Sequence, residues 1–520
     1  MSLTLAVALL LFLYWRQSSS APTNADGASN ALQAWDMLHG NVLLHGWHLS
    51  DVSFYTTEVP QYAVIEAFTG LGPWVVHVAA AMTYTLLVVL AAILAKGRAG
   101  GREGLTRALL AAGLIVAPQL SATSTLLLGP DHTGTAVPLL VAWLIVDVSP
   151  RRWFVPVAVS LILAWALVAD SLVLVTGIAP LAAACLLRAG VGWRKDRASA
   201  RFELSLATAA VAAAGLGWTI ERTLGAAGGY AVSPVSTRTV TVGQLPHTAW
   251  VMARAALEVF GANVFSAGGP ITFSFVALHL AGAALVVVAL TTGMVRFFRA
   301  ADVVIPVLVL AIVFNLAVYT VSRQGLDIAT TREITAVMPF GAALAGRTLA
   351  APLLADPVLR LRLVPPLVLI GCGYLATLGY AAALPSAPAA NQRLATWLTA
   401  RHLDDGLAGY WQANSTTLDT SGRVRVSFVQ ASNGRLVPGG WETVATAYDP
   451  ARHNARFLAV KDATVTPDVL AAAMKTFGAP VHTYHYDGYT IFVWNTNLLV
   501  RLTGVVSAGP LGRAPAAFGG

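Results

Sequence analysis

Residues 23–62, TNADGASNALQAWDMLHGNVLLHGWHLSDVSFYTTEVPQY, set Asp26, Asp36, Asp51, Glu58, His39, His45 and His48 between two apolar stretches that a short turn would have joined. An ionised carboxylate at a membrane surface can take the proton of an acceptor hydroxyl, so this loop is where general-base chemistry is sought first. Its segment ASNALQAWDMLHG reads as a short helix, capped by Asp26 or Asn24 and ended by Gly40. Leu32, Trp35, Met37 and Leu38 would let that helix lie on the membrane surface. Asp26 then stands at the helix entrance, where the exposed N–H groups attract negative charge. The blander role for Asp26 is a plain N-cap. Glu58, two residues before Pro60, reads as extended or turn backbone beside Tyr55 and Tyr62. A carboxylate flanked by aromatic rings suits a sugar, although aromatic rings also belong at membrane interfaces.

Two further loops concentrate ionisable groups. GPDHTGT (129–135) places Asp131 and His132 at the mouth of two apolar segments, a depth at which such residues are functional candidates. The alternative there is a polar turn in which Asp131 caps the next helix. SRQGLDIATTRE (322–333) carries Arg323 and Arg332 beside Asp327 and Glu333. Arginine suits a lipid phosphate because its planar fork donates two parallel hydrogen bonds. Interfacial anchoring, or pairing with the two acids, is the competing use. His45 and His48 alone make a weak metal pair, and no metal ligand set is assigned.

The elements that must position these residues are mostly apolar helices. The chain is 56% hydrophobic and 11% charged, against about 25% charge in soluble domains. Segments near the bilayer-spanning length of about 20 residues fall at 3–15, 73–95, 107–129, 135–148, 153–169, 171–188, 204–223, 271–294, 303–321, 334–354 and 363–384, about eleven spans. With the N-terminus cytoplasmic, the inner loops 96–107, 149–152, 188–203, 295–302 and 346–362 hold sixteen Lys and Arg. The longer outer loops hold six: Arg16, Arg222, Arg238, Arg254, Arg323 and Arg332. That asymmetry sets the N-terminus inside and the C-terminal tail outside, and it accounts for most of the +8 net charge without calling for nucleic acid. Cys185 and Cys372 both lie in apolar segments, which excludes a disulfide framework.

The organisation expected is a membrane domain over 1–384 with a first outer loop at 16–72, a linker over 385–400 that turns amphipathic, and an extracytoplasmic α/β domain over 401–520. In that last part RVRVSFVQA (423–431) and YTIFVWNT (489–496) read as strands. TPDVLAAAMKTFG (466–478) reads as a helix with a Thr cap and a closing Gly. HTAWVMARAALEVFGANVF, inside the loop 224–270, reads as an amphipathic interfacial stretch.

This layout resembles the GT-C superfamily of polytopic glycosyltransferases, which use polyprenyl-phosphate-linked sugars. Its protein O-mannosyltransferase and aminoarabinose-transferase branches carry an Asp at the start of the first outer loop, a Gly ending the surface helix, then an aromatic–acid–Pro segment. Here those positions read Asp26, Gly40, then Phe54, Tyr55, Glu58 and Pro60. Gly27 follows the Asp where those branches usually have an acid or similar residue, and the Lys-Pro-Pro of the aminoarabinose enzymes is absent, this chain having Thr57, Glu58, Val59, Pro60. The resemblance implies a GT-C-like fold and a glycosyltransferase in a bacterial cytoplasmic membrane. It implies Asp26 as catalytic base and Asp131 as second acid, with His132 beside it. Glu58, Tyr55, Asp131 and His132 would position sugar or acceptor, or hold a divalent metal ion if the reaction needs one, and Arg323 or Arg332 would bind the donor phosphate. The partners implied are a lipid-linked donor, membrane lipid and a glycan, lipid or protein acceptor. A transporter or flippase of lipid-linked substrates, and a non-catalytic membrane scaffold, are the rival readings. The acids gather outside the spans, which suits surface chemistry better than passage.

Overall fold

The computed structural model describes residues 3–129, 132–149, 151–234, 238–265, 269–299, 302–463 and 465–502, and only the backbone of 269–271. Asp131 lies outside the described residues. The chain divides into two compact units. The first comprises Met1–Ser20, Ala80–Ile220 and Thr237–Ser386, the second Ala21–Ala79, Glu221–Ser236 and Ala387–Gly520.

Helices run in the order α1 (Leu3–Ser18), α2 (Ala25–Leu38), α3 (Glu58–Thr69), α4 (Trp74–Lys96), α5 (Gly101–Ile115) and α6 (Thr123–Leu126). Next come α7 (Ala136–Val148), α8 (Phe154–Ala169), α9 (Ala179–Gly192), α10 (Arg197–Ala226), α11 (Leu245–Val259) and α12 (Gly269–Arg296). The last are α13 (Val304–Val321), α14 (Val337–Ala355), α15 (Pro357–Ala383), α16 (Gln392–Ala400), α17 (Tyr410–Asp419) and α18 (Pro467–Phe477). The strands are β1 (Trp47–Leu49), β2 (Ala231–Val232), β3 (Asp405–Ala408), β4 (Arg425–Ser432), β5 (Arg435–Pro438), β6 (Thr443–Val444), β7 (Phe457–Lys461), β8 (His482–Tyr486) and β9 (Tyr489–Val493).

Every apolar segment expected to span is helical, because in lipid a backbone must satisfy its own hydrogen bonds. Among the described residues seven helices are long and apolar enough to cross a bilayer, with an eighth if one bent pair counts as a span. That pair is α5 with the short turn Leu120–Leu126, bent by 77°. The sequence reads 107–129 as one straight span. Pro118, at the break, has no N–H to continue the ladder and disfavours helical backbone at Ala117. Helices α1, α7 and α8 are shorter, of 16, 13 and 16 residues. At 1.5 Å per residue they fall short of a hydrocarbon core of about 30 Å. The chain is thus a multi-pass membrane protein in which the full-length spans are fewer than the apolar segments.

Helix α14 (VMPFGAALAGRTLAAPLLA) is the most buried of these spans. Its small residues let neighbours approach closely: a side chain at Gly346 would strike the Arg107 carbonyl and Ala95, and one at Gly341 would strike Val286. Such packing drives helix association where lipid competes for every apolar surface. The same helix carries the buried Arg347. Its Nη2 lies 2.5 Å from Asp147, its Nη1 2.9 Å from Asp302, and its Nε donates to the Leu94 carbonyl at 2.8 Å. Gly97, at φ +51°, packs where any side chain would run into Asp147 and Arg347.

The second unit holds the mixed sheet, ordered β5-β4-β3-β7-β9-β8. β3 pairs in parallel with β4 and β7, and the outer strands are antiparallel. Helix α17 makes the crossover from β3 to β4, and the strands and helix α18 expected in the tail are present. A second sheet, β2-β1-β6, joins three stretches far apart in sequence: β1 from the first long loop, β2 from residues 231–232 and β6 from residues 443–444.

Removing the Arg347 guanidinium strands Asp147 in a buried site, a loss of about 3–5 kcal/mol. Arg347→Met is therefore expected to lower the thermal unfolding midpoint in detergent. Arg347→Lys should recover only part of the loss, because an ammonium cannot reach three partners in a fixed fork. An unchanged midpoint for Arg347→Met would remove the cluster from any structural role.

Candidate active site

Asp26 is the second residue of α2, and the cap is Asn24, whose side chain accepts from the Gly27 N–H at 2.7 Å. The carboxylate of Asp26 is thereby released from capping. Gly40 follows the helix at φ +100°, a backbone state that suits glycine. The helix buries a face of small and polar residues (Ala25, Ala28, Ser29, Asn30, Ala31, Gln33 and Ala34) rather than only its apolar ones. Leu32 and Met37, expected to face the membrane, pack against Leu44, Trp47, Leu49 and Tyr230. Asp26 meets the C-terminal part of the chain directly: the Tyr410 hydroxyl donates to its Oδ1. Tyr410 opens α17, just past the carboxyl end of β3, where α/β sheets commonly bind ligands.

Beneath α2 lies Glu442, a residue that sequence reasoning did not single out. It is 3% exposed and takes φ +49°, a strained conformation costing about 1–3 kcal/mol for a residue with a side chain. Its Oε2 accepts from Ser29 Oγ at 2.5 Å and Gln33 Nε2 at 2.9 Å, and its Oε1 accepts from the Ser50 N–H at 3.0 Å. Its carbonyl accepts from Asn414 Nδ2 at 2.7 Å. Burial pushes its pKa up to about 7; the bonds from Ser29 and Ser50 oppose that, and the nearby Asp26 charge adds to it. The available signal was the run of polar residues Ser29, Asn30 and Gln33 on the inner face of an otherwise apolar helix, which calls for a buried polar partner.

Glu58 and Tyr55 share this unit. Glu58 is the first residue of α3 and not extended, because Pro60 falls in the first turn, where its missing N–H costs nothing. Its carboxylate is buried and accepts from the Thr57 hydroxyl. Tyr55 stacks on Tyr230 at 4.9 Å and donates to the Val42 carbonyl at 3.0 Å. On the same helix Glu66 is 2% exposed, and burial pushes its pKa up to about 9, so it is neutral at pH 7.

The other expected residues lie in the first unit. His132 sits in the turn before α7 at φ +57°. Its Nδ1 is 2.7 Å from Asp170, which also accepts from Thr135 Oγ1 at 2.5 Å and the Leu172 N–H at 2.8 Å. Its Nε2 is 3.4 Å from Glu333. Burial alone would drive the proton off this imidazole, but Asp170 and Glu333 outweigh it and hold its pKa well above the ordinary value. Glu333, expected beside the arginines, is thus engaged by the histidine. Asp327 caps its own turn by accepting from the Ala329 N–H at 3.0 Å. Arg323 is exposed at the head of the turn Arg323–Leu326, and its guanidinium has no acidic partner among the described residues. Arg332 is half-buried in the turn Ile328–Ile334. The amphipathic stretch expected nearby is helix α11, and Gly325 packs against its Thr248. Among the described residues no group of three or more His, Cys, Asp or Glu has metal-binding geometry. His45 contacts the Gly228 carbonyl through Nδ1 at 2.6 Å, and His48 lies in β1.

No protein-family model matches the chain, and no curated protein matches it in sequence. Solved structures do. ArnT from Cupriavidus metallidurans, bound to undecaprenyl phosphate, superposes with a TM-score of 0.56 at 15% identity, covering 94% of this chain and 97% of that one. The archaeal oligosaccharyltransferase AglB from Archaeoglobus fulgidus, in complex with an inhibitory peptide and a dolichol-phosphate, gives 0.48 at 12% identity over 95% of this chain and 74% of that one. The chain therefore has the fold of ArnT, with the polytopic helices and the C-terminal mixed sheet expected from the sequence.

Glu442 supplies a titration that stability can read. Its proton is bound more tightly folded than unfolded, so folding loses support as pH rises from about 4.3 to about 7, by about 3 kcal/mol if the whole shift is realised. The gap in unfolding midpoint between wild type and Glu442→Gln should shift against wild type between pH 5 and pH 8. A gap that is the same at both pH values would show that Glu442 does not titrate in this range.

Proposed function

We propose that the chain is an inverting glycosyltransferase that uses a polyprenyl-phosphate-linked sugar at the outer face of a bacterial cytoplasmic membrane. In this reading residues 1–384 form the membrane domain with its first outer loop at 16–72, the N-terminus is cytoplasmic, and 385–400 link to an extracytoplasmic domain over 401–520. The observation that carries it is Asp26: a first-turn carboxylate relieved of capping by Asn24 and held by the Tyr410 hydroxyl. The fold likeness to an undecaprenyl-phosphate-bound protein supports the donor class.

Asp26 takes the proton of the acceptor hydroxyl while that oxygen attacks the anomeric carbon. The bond from that carbon to the phosphate oxygen breaks, its electron pair leaves with the polyprenyl phosphate, and the configuration inverts. Arg323 or Arg332 meets the charge that develops on the departing phosphate. Tyr55, Glu58 and Asp131 position the sugar or acceptor. His132 acts through Glu333, since both its ring nitrogens face carboxylates. The acceptor is a glycan, a lipid or a protein bearing a free hydroxyl.

The test is transfer of radiolabelled sugar from polyprenyl-phosphate donors in membranes holding the intact protein, beside Asp26→Asn at equal expression. Loss of a general base lowers kcat by about 10²–10⁴. Tyr410→Phe, which keeps the carboxylate but removes the hydroxyl bonded to it, is expected to lower kcat by about tenfold with KM unchanged. Equal transfer by wild type and Asp26→Asn would remove Asp26 from its role. Movement of labelled lipid across the bilayer without transfer would favour a flippase.

A further inference from the structure

Helix α2 carries a second acid, Asp36, ten residues beyond Asp26 and so about 15 Å farther along the helix. Around it lies a cleft of about 390 Å³ in the second unit, lined from α2 by Trp35, Asp36 and His39 and from the sheet side by Asn414, Arg425 and His453. This cleft plays no part in the chemistry assigned to Asp26.

Its polar groups are held in place and left incomplete. Asp36 Oδ2 accepts from Asn41 Nδ2 at 2.7 Å and from Trp47 Nε1 at 2.8 Å, which fixes the carboxylate plane. Among the described residues no donor meets its other oxygen, Oδ1. Across the lining, Arg425 Nη1 donates to His453 Nδ1 at 2.6 Å and lies 3.9 Å from Asp405 Oδ1, while its Nε and Nη2 meet no acceptor among the described residues. Burial and the neighbouring Arg425 hold His453 below its ordinary pKa, so it orients the guanidinium as a neutral partner. The Trp35 indole packs against the His39 ring, with centroids 4.4 Å apart, and lines the cleft.

A flat aromatic ring, a carboxylate with one open oxygen and a guanidinium with open donors form a set that complements one class of ligand. A pyranose presents C–H groups on one face, which bury against an indole. Its ring of hydroxyls both donates to a carboxylate and accepts from a guanidinium. An acyl chain would leave both charged groups unmatched, and leaving such groups desolvated and unpaired is costly. The fixed geometry limits the ordering cost of binding.

We infer that this cleft is a saccharide-binding site in which Trp35 stacks on a pyranose ring while Asp36 and Arg425 take its hydroxyls. Given the glycosyltransferase reading, on which this further step rests, the occupant is a sugar unit of a glycan acceptor whose reactive hydroxyl lies nearer the N-terminus of α2.

Binding is measured by saturation-transfer NMR on the full chain in lipid nanodiscs, because sugar-headed detergents would compete. The probes are methyl α-D-mannopyranoside, methyl β-D-glucopyranoside and methyl β-D-galactopyranoside. The expected result is saturation of the ring C–H protons of at least one probe, weakened about tenfold or more by Trp35→Ala and by Arg425→Ala. Both variants are required to keep the wild-type unfolding midpoint within the scatter of repeat runs. A Lys461→Ala control, away from the cleft, is expected to bind as wild type. No saturation of any probe, or saturation that both cleft variants leave intact, overturns the site. Running the sugar-transfer assay on the same wild-type nanodiscs separates the two readings. Binding in a protein that transfers no sugar keeps the cleft and discards the enzyme; transfer without probe binding does the reverse.

Discussion

A hydrocarbon interior offers no water to an unpaired backbone group, and the helical unit is shaped by that one constraint. Each apolar segment must close its own hydrogen bonds, so each is a helix, and ionisable residues are driven to the ends. Where a charge does enter the packed interior it is answered in kind. Arg347 reaches two carboxylates and a carbonyl, and His132 sits between Asp170 and Glu333. A buried ion left alone would cost several kcal/mol, and with its partner it becomes a fixed joint between helices. Small residues on α14 complete the arrangement, since in lipid close approach replaces hydrophobic burial as the source of cohesion.

The second unit solves a different problem, how to hold a short helix from one end of the sequence against a sheet from the other. Glu442 does much of this by accepting from Ser29, Gln33 and the Ser50 N–H while its own carbonyl receives Asn414. The three-stranded sheet that joins β1, β2 and β6 adds backbone pairing. The cost is a desolvated carboxyl on a strained residue, placed close enough to Asp26 to sense its charge. Two carboxyls on either side of one helix turn, one with its pKa displaced upward and one bonded by a tyrosine, are the kind of unequal pair on which acid–base chemistry depends.

Likeness of fold with so little sequence identity limits what the fold can say. The chain and ArnT share an architecture across nearly their whole lengths at 15% identity, and an architecture is compatible with more than one activity. The case for group transfer therefore rests on particular atoms: the cap taken by Asn24 and the hydroxyl of Tyr410 on Asp26. The cleft around Asp36 belongs to the same helix, so α2 carries both the reacting carboxylate of the proposal and a surface suited to sugar.

Much of this was legible in the residues themselves. Hydropathy located the apolar helical segments, because burial in lipid is a local property of composition. Strands β4 and β9 and helix α18 of the tail followed from β-branched runs and from a Thr–Pro start with a Gly stop, which are also local. The first-loop helix and its two rival caps were visible too, and the choice of Asn24 over Asp26 turned on side-chain geometry alone. What the sequence could not disclose was every long-range partner. Residues 107–129 read as one span where the structure bends by 77°, and the backbone at Glu58, read as extended or turn, in fact opens a helix. Glu333 stood in sequence among arginines, yet His132, two hundred residues away, is what it meets. Tyr410 on Asp26 and Glu442 under Ser29 join positions nearly four hundred residues apart or more. Local pattern records which face of an element must be buried; only the packed chain decides what covers it, because that choice is made by shape and charge summed over the whole fold.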